Sequence, residues 1–411
     1  MRIDTVEAIP LRAPFPGESR YWGDETWTRS AAADVTPRPL GRGDLYTEYP
    51  LRWRMRHGWE HAVSTVIVRL TTDDGLVGYG EAKGVMTPRV PAEIIDRLLA
   101  AAVRGADPFD VDVIWHRMYA RMRGRGHLQG FMQEAMAGVD IALWDLMGQA
   151  TRRPICALLG GRYRDAMRVY ASALPGLPSG WTPDDEARLA AAAQAFRRQG
   201  FDAMKVGIGY GLDADVRSVE VVREATDPDT LILADALGSY DLPMALRLGE
   251  RLAELRVGWF ETPLPPEDLD GYVQLGTRLP LPVANDFIFT SRALNDLLRR
   301  GARIVLQPEV IKAGISECRR IALLADLYGL PYAPHVSIGS AIQFAATAHL
   351  AASCPNFMIS EFWAGENPLG NAILRTPLRL HESHLQVPTG PGLGIDLDEQ
   401  KWSRYRLPAE P

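Results

Sequence analysis

Leu231-Ile-Leu-Ala-Asp235, then Gly258-Trp-Phe-Glu261, then Pro282-Val-Ala-Asn-Asp286: each short β-rich run ends on a carboxylate. Each is followed by a stretch rich in Ala, Leu, Arg and Glu that reads as helix. The pattern continues in both directions. Upstream lie Arg168-Val-Tyr-Ala171 and Ala203-Met-Lys-Val206; downstream lie Ile304-Val-Leu-Gln307, Pro331-Tyr-Ala-Pro-His335 and Phe357-Met-Ile-Ser-Glu361. Strands alternating with helices imply parallel βα units. About eight such units in ~200 residues predict a closed α/β barrel, with a doubly wound open sheet as the alternative.

The residues that close these runs carry the chemistry. Lys205, Asp235, Glu261, Asp286, Glu309, His335 and Glu361 are separated by 30, 26, 25, 23, 26 and 26 residues. That spacing is about one βα unit, so an ionisable group recurs once per unit. In a barrel the strand C-termini converge on one mouth, where active sites sit. Asp235, Glu261 and Asp286 are three carboxylates on consecutive strands whose like charges repel. A hard divalent cation relieves that conflict, and oxygen ligands suit Mg²⁺. His335 is the candidate general base, and Glu309 on the neighbouring strand can fix its tautomer and raise its basicity. His349 is expected to pack on a helix.

Outward from the barrel, the N-terminal region reads as α+β. A strand-like start leads into an irregular stretch, about residues 14 to 60, that carries Pro, Gly, Tyr21, Trp22, Trp27, Trp53 and Trp59. A long loop that retains aromatics reads as a lid or binding loop. Val63 to Leu70, an Asp-Gly turn and Leu76 to Glu81 form a predicted hairpin. Arg52, Arg54 and Arg56 alternate around Trp53 and Met55, sharing one face of an extended segment. Arg52, Trp53, Arg54, Tyr21 and Trp22 are therefore candidate substrate contacts, the arginines suiting a carboxylate or sugar hydroxyls.

Composition limits the function classes. The chain has 411 residues, with 45 Lys+Arg against 51 Asp+Glu and a formal net charge of −6. This argues against nucleic-acid and anionic-membrane partners, which need a basic surface. Cys156, Cys318 and Cys354 form no CxxC, so neither a disulfide framework nor a thiolate zinc site is expected. With no apolar leader at the start, a cytoplasmic location is expected.

Several motifs resemble the enolase superfamily, and specifically its mandelate racemase-like branch. Ala137-Gly-Val-Asp-Ile-Ala-Leu-Trp-Asp-Leu146 with Pro154-Ile-Cys-Ala-Leu-Leu-Gly-Gly161 resembles the family's junction between capping domain and barrel. Trp259 to Asp268 resembles the segment of the second metal ligand, Ala333-Pro-His335 the catalytic histidine strand, and Pro388 to Gly394 the C-terminal tail. The resemblance implies a modified TIM barrel capped by an α+β domain that the N-terminal region and the C-terminal tail form together. It places an N-terminal capping domain at 1–135, the catalytic barrel at 136–365 and a returning C-terminal segment at 366–411. It implies Mg²⁺ on Asp235, Glu261 and Asp286, and proton abstraction α to a carboxylate by His335. Lys205 assists at that carboxylate, and Glu361 stabilises the enediolate as a hydrogen-bond donor if protonated. The family's enzymes are commonly homo-oligomers acting on small hydroxy acids.

Four departures narrow the reading. Where the family commonly has Lys-x-Lys, this chain has Lys205-Val206-Gly207; Asp286 stands for Glu, Glu309 for Asp, and Leu237 for Asn. Without the second lysine there is no base on the opposite face. A one-base β-elimination is favoured over racemisation, and an acid-sugar (aldonate or aldarate) dehydratase is the leading expectation. A cycloisomerase of a sugar-acid lactone, a racemase or epimerase, and a catalytically inactive barrel serving as a binding or scaffold protein are the alternatives.

Overall fold

Residues 1–15, 62–178 and 180–408 are described in the computed structural model of the chain. The Asp73-Asp74-Gly75 turn joins β2 (Ala62–Thr72) to β3 (Val77–Lys83), with Gly75 at φ 84°. With β1 (Ile3–Pro14) they form an antiparallel sheet in the order β1-β2-β3, so the hairpin expected from the sequence is present. One face of this sheet buries Val6, Val66, Val68 and Leu70 against α1 (Val111–Arg123) and α2 (Phe131–Thr151).

α2 is the seam of the molecule. It is buried on nearly every side because the cap sheet lies against one face and the barrel against another. The close approach needs glycine. A Cβ at Gly80 would lie 2.0 Å from the Gly138 carbonyl oxygen, and a Cβ at Gly138 would lie 2.7 Å from Val68. Asp145 accepts the Tyr79 N–H from the sheet and the Leu393 N–H from the tail, each at 2.8 Å. Asp140 accepts the Ser316 N–H at 2.9 Å and the Ser316 hydroxyl at 2.5 Å. The helix runs unbroken through position 135.

The barrel begins at β4 (Ala166–Leu174). It proceeds through β5 (Ala203–Gly207), β6 (Leu231–Asp235), β7 (Phe260–Glu261), β8 (Val283–Asn285) and β9 (Val305–Leu306), all parallel neighbours. Parallel bridges run from Leu306 to Tyr332 and from Tyr332 to Phe357, and β10 (Ser360–Trp363) pairs with β4. The ring closes, which removes the open-sheet alternative. The expected seventh strand survives only as bridges at Tyr332, because Pro331 and Pro334 lack the N–H groups a ladder needs. Two connecting helices show the capping expected of such sequences: Thr182 and Asp185 form a capping box, and Asp241 accepts the Met244 N–H at 3.0 Å.

The barrel interior holds one buried apolar side chain from each strand position: Tyr170, Ala203, Leu233, Trp259, Ala284, Val305, Ala333 and Ile359. A second, larger core lies between the strands and the outer helices. The tail returns to the cap: Leu407 N–H donates to the Pro10 carbonyl at 2.9 Å, and Arg12 N–H to that of Tyr405 at 2.9 Å. His349 is buried on its helix, bonded through Nε2 to the Leu393 carbonyl, and burial pushes its pKa down to about 4. The three cysteines are buried and unpaired by disulfides. Among the described residues no helix is long and apolar enough to cross a membrane.

Candidate active site

Strand alternation builds the site directly on the interior apolar layer. Side chains two residues apart on a strand share a face. Two positions beyond the apolar set come Ser172, Lys205, Asp235, Glu261, Asp286, Gln307, His335 and Glu361. The alternation also accounts for Asp286, which is in phase with inward-facing Ala284. Glu309 lies a further two residues past the in-phase Gln307, on the loop leading into a short helix, Val310–Ala313.

Lys205, almost fully buried, is the electrostatic hub. Its Nζ lies 2.6 Å from Glu261 Oε1, 3.1 Å from Glu361 Oε1 and 3.3 Å from Asp235 Oδ2. Burial alone would strip its proton, but the Glu261 and Glu361 carboxylates outweigh that and hold it charged. Glu261 Oε2 accepts from Gln307 Nε2 at 2.8 Å and Trp259 Nε1 at 3.0 Å. Burial raises Glu261 to about 7, with Lys205 opposing and Asp235 and Asp286 adding to the rise. Asp286 Oδ1 accepts the Thr262 hydroxyl at 2.5 Å. Glu261, Asp286 and His335 each offer one ligand atom within 4.8 Å of the others. Asp235 sits to the Lys205 side of this group, its Oδ1 accepting the Leu237 N–H at 3.0 Å.

His335 is bonded through Nδ1 to Glu309 Oε2 at 2.8 Å, which leaves Nε2 facing Glu361 at 3.2 Å and Asp286 at 3.6 Å. Burial would lower its pKa, but Glu361, Glu309 and Asp286 outweigh it and hold it above 6.5. Glu309 is held well below the usual carboxylate range: Lys312, Lys83 and His335 overcome its burial. Lys312 Nζ is 3.0 Å from its Oε2 and Lys83 Nζ 3.1 Å from its Oε1, with Gln343 Nε2 donating at 2.9 Å. Lys83 also bonds the Ser337 hydroxyl and, at 3.2 Å, the Ile338 carbonyl.

Lys205, Asp235, Asp286, His335 and Glu361 line a cavity of about 270 Å³ whose walls also include Lys83, Lys312, Glu134, Phe287 and Trp363. Five of the seven ionisable groups expected from the sequence therefore face this cavity, and the other two, Glu261 and Glu309, bond to Lys205 and His335. Glu361 is held below the usual carboxylate range, His335 and Lys205 outweighing its burial, and its Oε2 accepts the N–H groups of Val336 at 3.0 Å and Ser337 at 2.7 Å. Tyr21, Trp22, Arg52, Trp53 and Arg54 lie outside the described residues. Sequence reading missed Ser172 and Gln307, which alternation from the strand ends reaches. It also missed Lys83, Lys312 and Glu134, which only long-range packing brings in. Leu237, Thr262 and Ser337 take positive φ angles of 59°, 40° and 47° beside the strand ends, so backbone strain gathers at this mouth.

Comparison with known proteins agrees with this architecture. Residues 188–401 match the family "Enolase C-terminal domain-like", and residues 47–160 match "Mandelate racemase / muconate lactonizing enzyme, N-terminal domain". The chain is 36% identical over 356 residues to a D-galactarolactone cycloisomerase of Agrobacterium fabrum, covering 84% of this chain and 91% of that one. It is 30% identical over 352 residues to an arabinonate dehydratase of Saccharolobus solfataricus, covering 84% and 92%. The crystal structure of a protein described as an isomerase from Sinorhizobium meliloti superposes with a TM-score of 0.85 at 31% identity, over 98% of this chain and 99% of that one. A closed barrel with a carboxylate and histidine mouth under an α+β cap defines a class, and these matches give it a name. The chain belongs to the enolase superfamily, whose enzymes are magnesium-dependent.

Proposed function

We propose that this enzyme is an acid-sugar dehydratase that eliminates water from an aldonate or aldarate by one-base chemistry at His335. The observation that carries the reading is the one-sided base. Glu309 holds Nδ1 of His335 at 2.8 Å and leaves Nε2 to the cavity, while position 207 is a glycine. A 1,1-proton transfer needs a base on each face; an elimination needs one.

The residues fit a divalent cation. Asp235, Glu261 and Asp286 are buried oxygen donors on neighbouring strands, and burial pushes Glu261 up to about 7 against the opposing charge of Lys205, with Asp235 and Asp286 adding to the rise. When bound there, Mg²⁺ would supply Lewis-acid stabilisation of the charge that develops on the substrate carboxylate. Lys205 adds a fixed positive charge on the same side. His335 takes the α-proton on Nε2 as the C–H bond breaks, with Glu309 fixing its orientation. The β C–O bond then breaks, and the same histidine returns the proton to the departing hydroxyl, releasing water. The enol that remains tautomerises to a 2-keto-3-deoxy acid. Glu361, anchored by two N–H groups and 3.2 Å from Nε2, positions the imidazole.

A second reading is favoured by the 36% identity to the lactone cycloisomerase. The same base then opens a lactone by elimination, the ring oxygen leaving in place of water. Incubation with an acid-sugar and lactone panel in D₂O separates the two. A dehydratase yields keto acids from the open acids, a cycloisomerase only from lactones, and a racemase leaves deuterated substrate. Turnover should be lost with EDTA and restored by Mg²⁺; activity that survives complete metal removal would sink the metal assignment.

A further inference from the structure

We propose that Glu134 is a specificity-determining contact whose carboxylate accepts a hydrogen bond from a substrate hydroxyl remote from the reacting carbon. This rests on the acid-sugar reading above and deepens it, since it selects polyhydroxy acids over short hydroxy acids. Glu134 stands on the cap-side helix α2 and lines the same cavity as Lys205 and His335. Its Oε2 is buried without a hydrogen-bond partner among the described residues. Its neighbour Gln133 is anchored to the Ala313 carbonyl at 3.2 Å, which fixes this turn of α2 against the barrel. Lys83 and Lys312 line the cavity too, but both are bonded to Glu309. Desolvation therefore pushes the Glu134 carboxyl up to about 7, against the weaker pull of those lysines.

A buried acceptor without a donor costs on the order of 1–3 kcal/mol. Such a cost persists where a ligand relieves it. The missing partner must be a donor that enters the cavity, and in a sugar acid the donors are hydroxyls. The contacts indicate which hydroxyls. Lys205 and the candidate metal ligands would take the carboxylate end. His335 touches Asp286 on that side and Glu309 on the other, and the two lysines bonded to Glu309 line the cavity together with Glu134. The chain of the substrate, running away from its carboxylate, points toward these lysines and Glu134. A site built to bond a hydroxyl discriminates strongly against an analogue that lacks it, because its own polar group is then stranded.

The test is calorimetric titration of the Mg²⁺-loaded wild type, Glu134→Ala and Glu134→Gln with five- and six-carbon aldonates and with 2-hydroxypropanoate. The last keeps the carboxylate and C2 hydroxyl but has no remote hydroxyl. Glu134→Ala should weaken the best aldonate about 10- to 100-fold. It should leave 2-hydroxypropanoate unchanged and should not lower the melting temperature. Glu134→Gln, which keeps an acceptor oxygen, should recover part of the loss. Equal aldonate affinity in wild type and Glu134→Ala, or equal losses for both ligand types with a lowered melting temperature, overturns the inference and leaves the acid-sugar reading intact. If no aldonate binds the wild type, the acid-sugar reading falls, and this inference with it.

Discussion

At the barrel mouth, successive strand positions each deliver one polar side chain, from Ser172 round to Glu361, over an apolar layer two residues below. On the cap wall, Lys83 arrives from an antiparallel strand and Glu134 from a long helix, with no common spacing between them. The barrel side chains are interlocked: Lys205 bridges three carboxylates, and His335 is held by Glu309. Lys83 joins that network by bonding Glu309, while Glu134 keeps one oxygen unpaired among the described residues. The difference suggests a division of labour in which the barrel performs the chemistry and the cap adjusts and selects.

The largest effect expected is on the barrel wall. His335→Asn should lower turnover by about three orders of magnitude and abolish solvent-deuterium exchange at the α-carbon while the fold survives. Undiminished exchange would remove His335 as the base and with it the primacy of that wall. A smaller effect is expected where the walls meet. Lys83→Met leaves Glu309 bonded to Lys312, Gln343 and His335, so kcat should fall roughly 10-fold with little change in KM. A loss as large as that of His335→Asn would mean that the cap takes part in the chemistry. The smallest effect concerns strain. Leu237 occupies a left-handed conformation at φ 59°. Leu237→Asn, a residue that tolerates this region, should stabilise the protein by about 1 kcal/mol in denaturant titration. An unchanged or lowered stability would show that the mouth of the barrel holds no relievable strain at this position.

Much of the barrel wall was legible because it is periodic. Asp235, Glu261 and His335 each close a β-rich run, and the run length and the βα repeat are local properties of the chain. Asp286 lies just past the last residue of β8, and alternation from Ala284 turns it inward. Glu309 was placed in the series although the in-phase residue is Gln307, since a carboxylate draws attention that an amide does not. The surroundings of Glu361 were not legible, because the two N–H groups it accepts and the His335 and Lys205 side chains beside it come from other parts of the chain.

By itself the sequence determined the βα repeat, the hairpin about Gly75 and the ring of ionisable residues at the strand ends. Each of these follows from backbone periodicity and turn chemistry acting over a few residues. Only the tertiary structure decided that the ring closes through little more than a bridge at Tyr332, and that Gly80 and Gly138 bring the cap sheet onto α2. It alone brought Lys83 to Glu309, 226 positions away, and left one oxygen of Glu134 unpaired among the described residues at the cavity wall. Packing at that range depends on the shapes of whole surfaces, which no local spacing records.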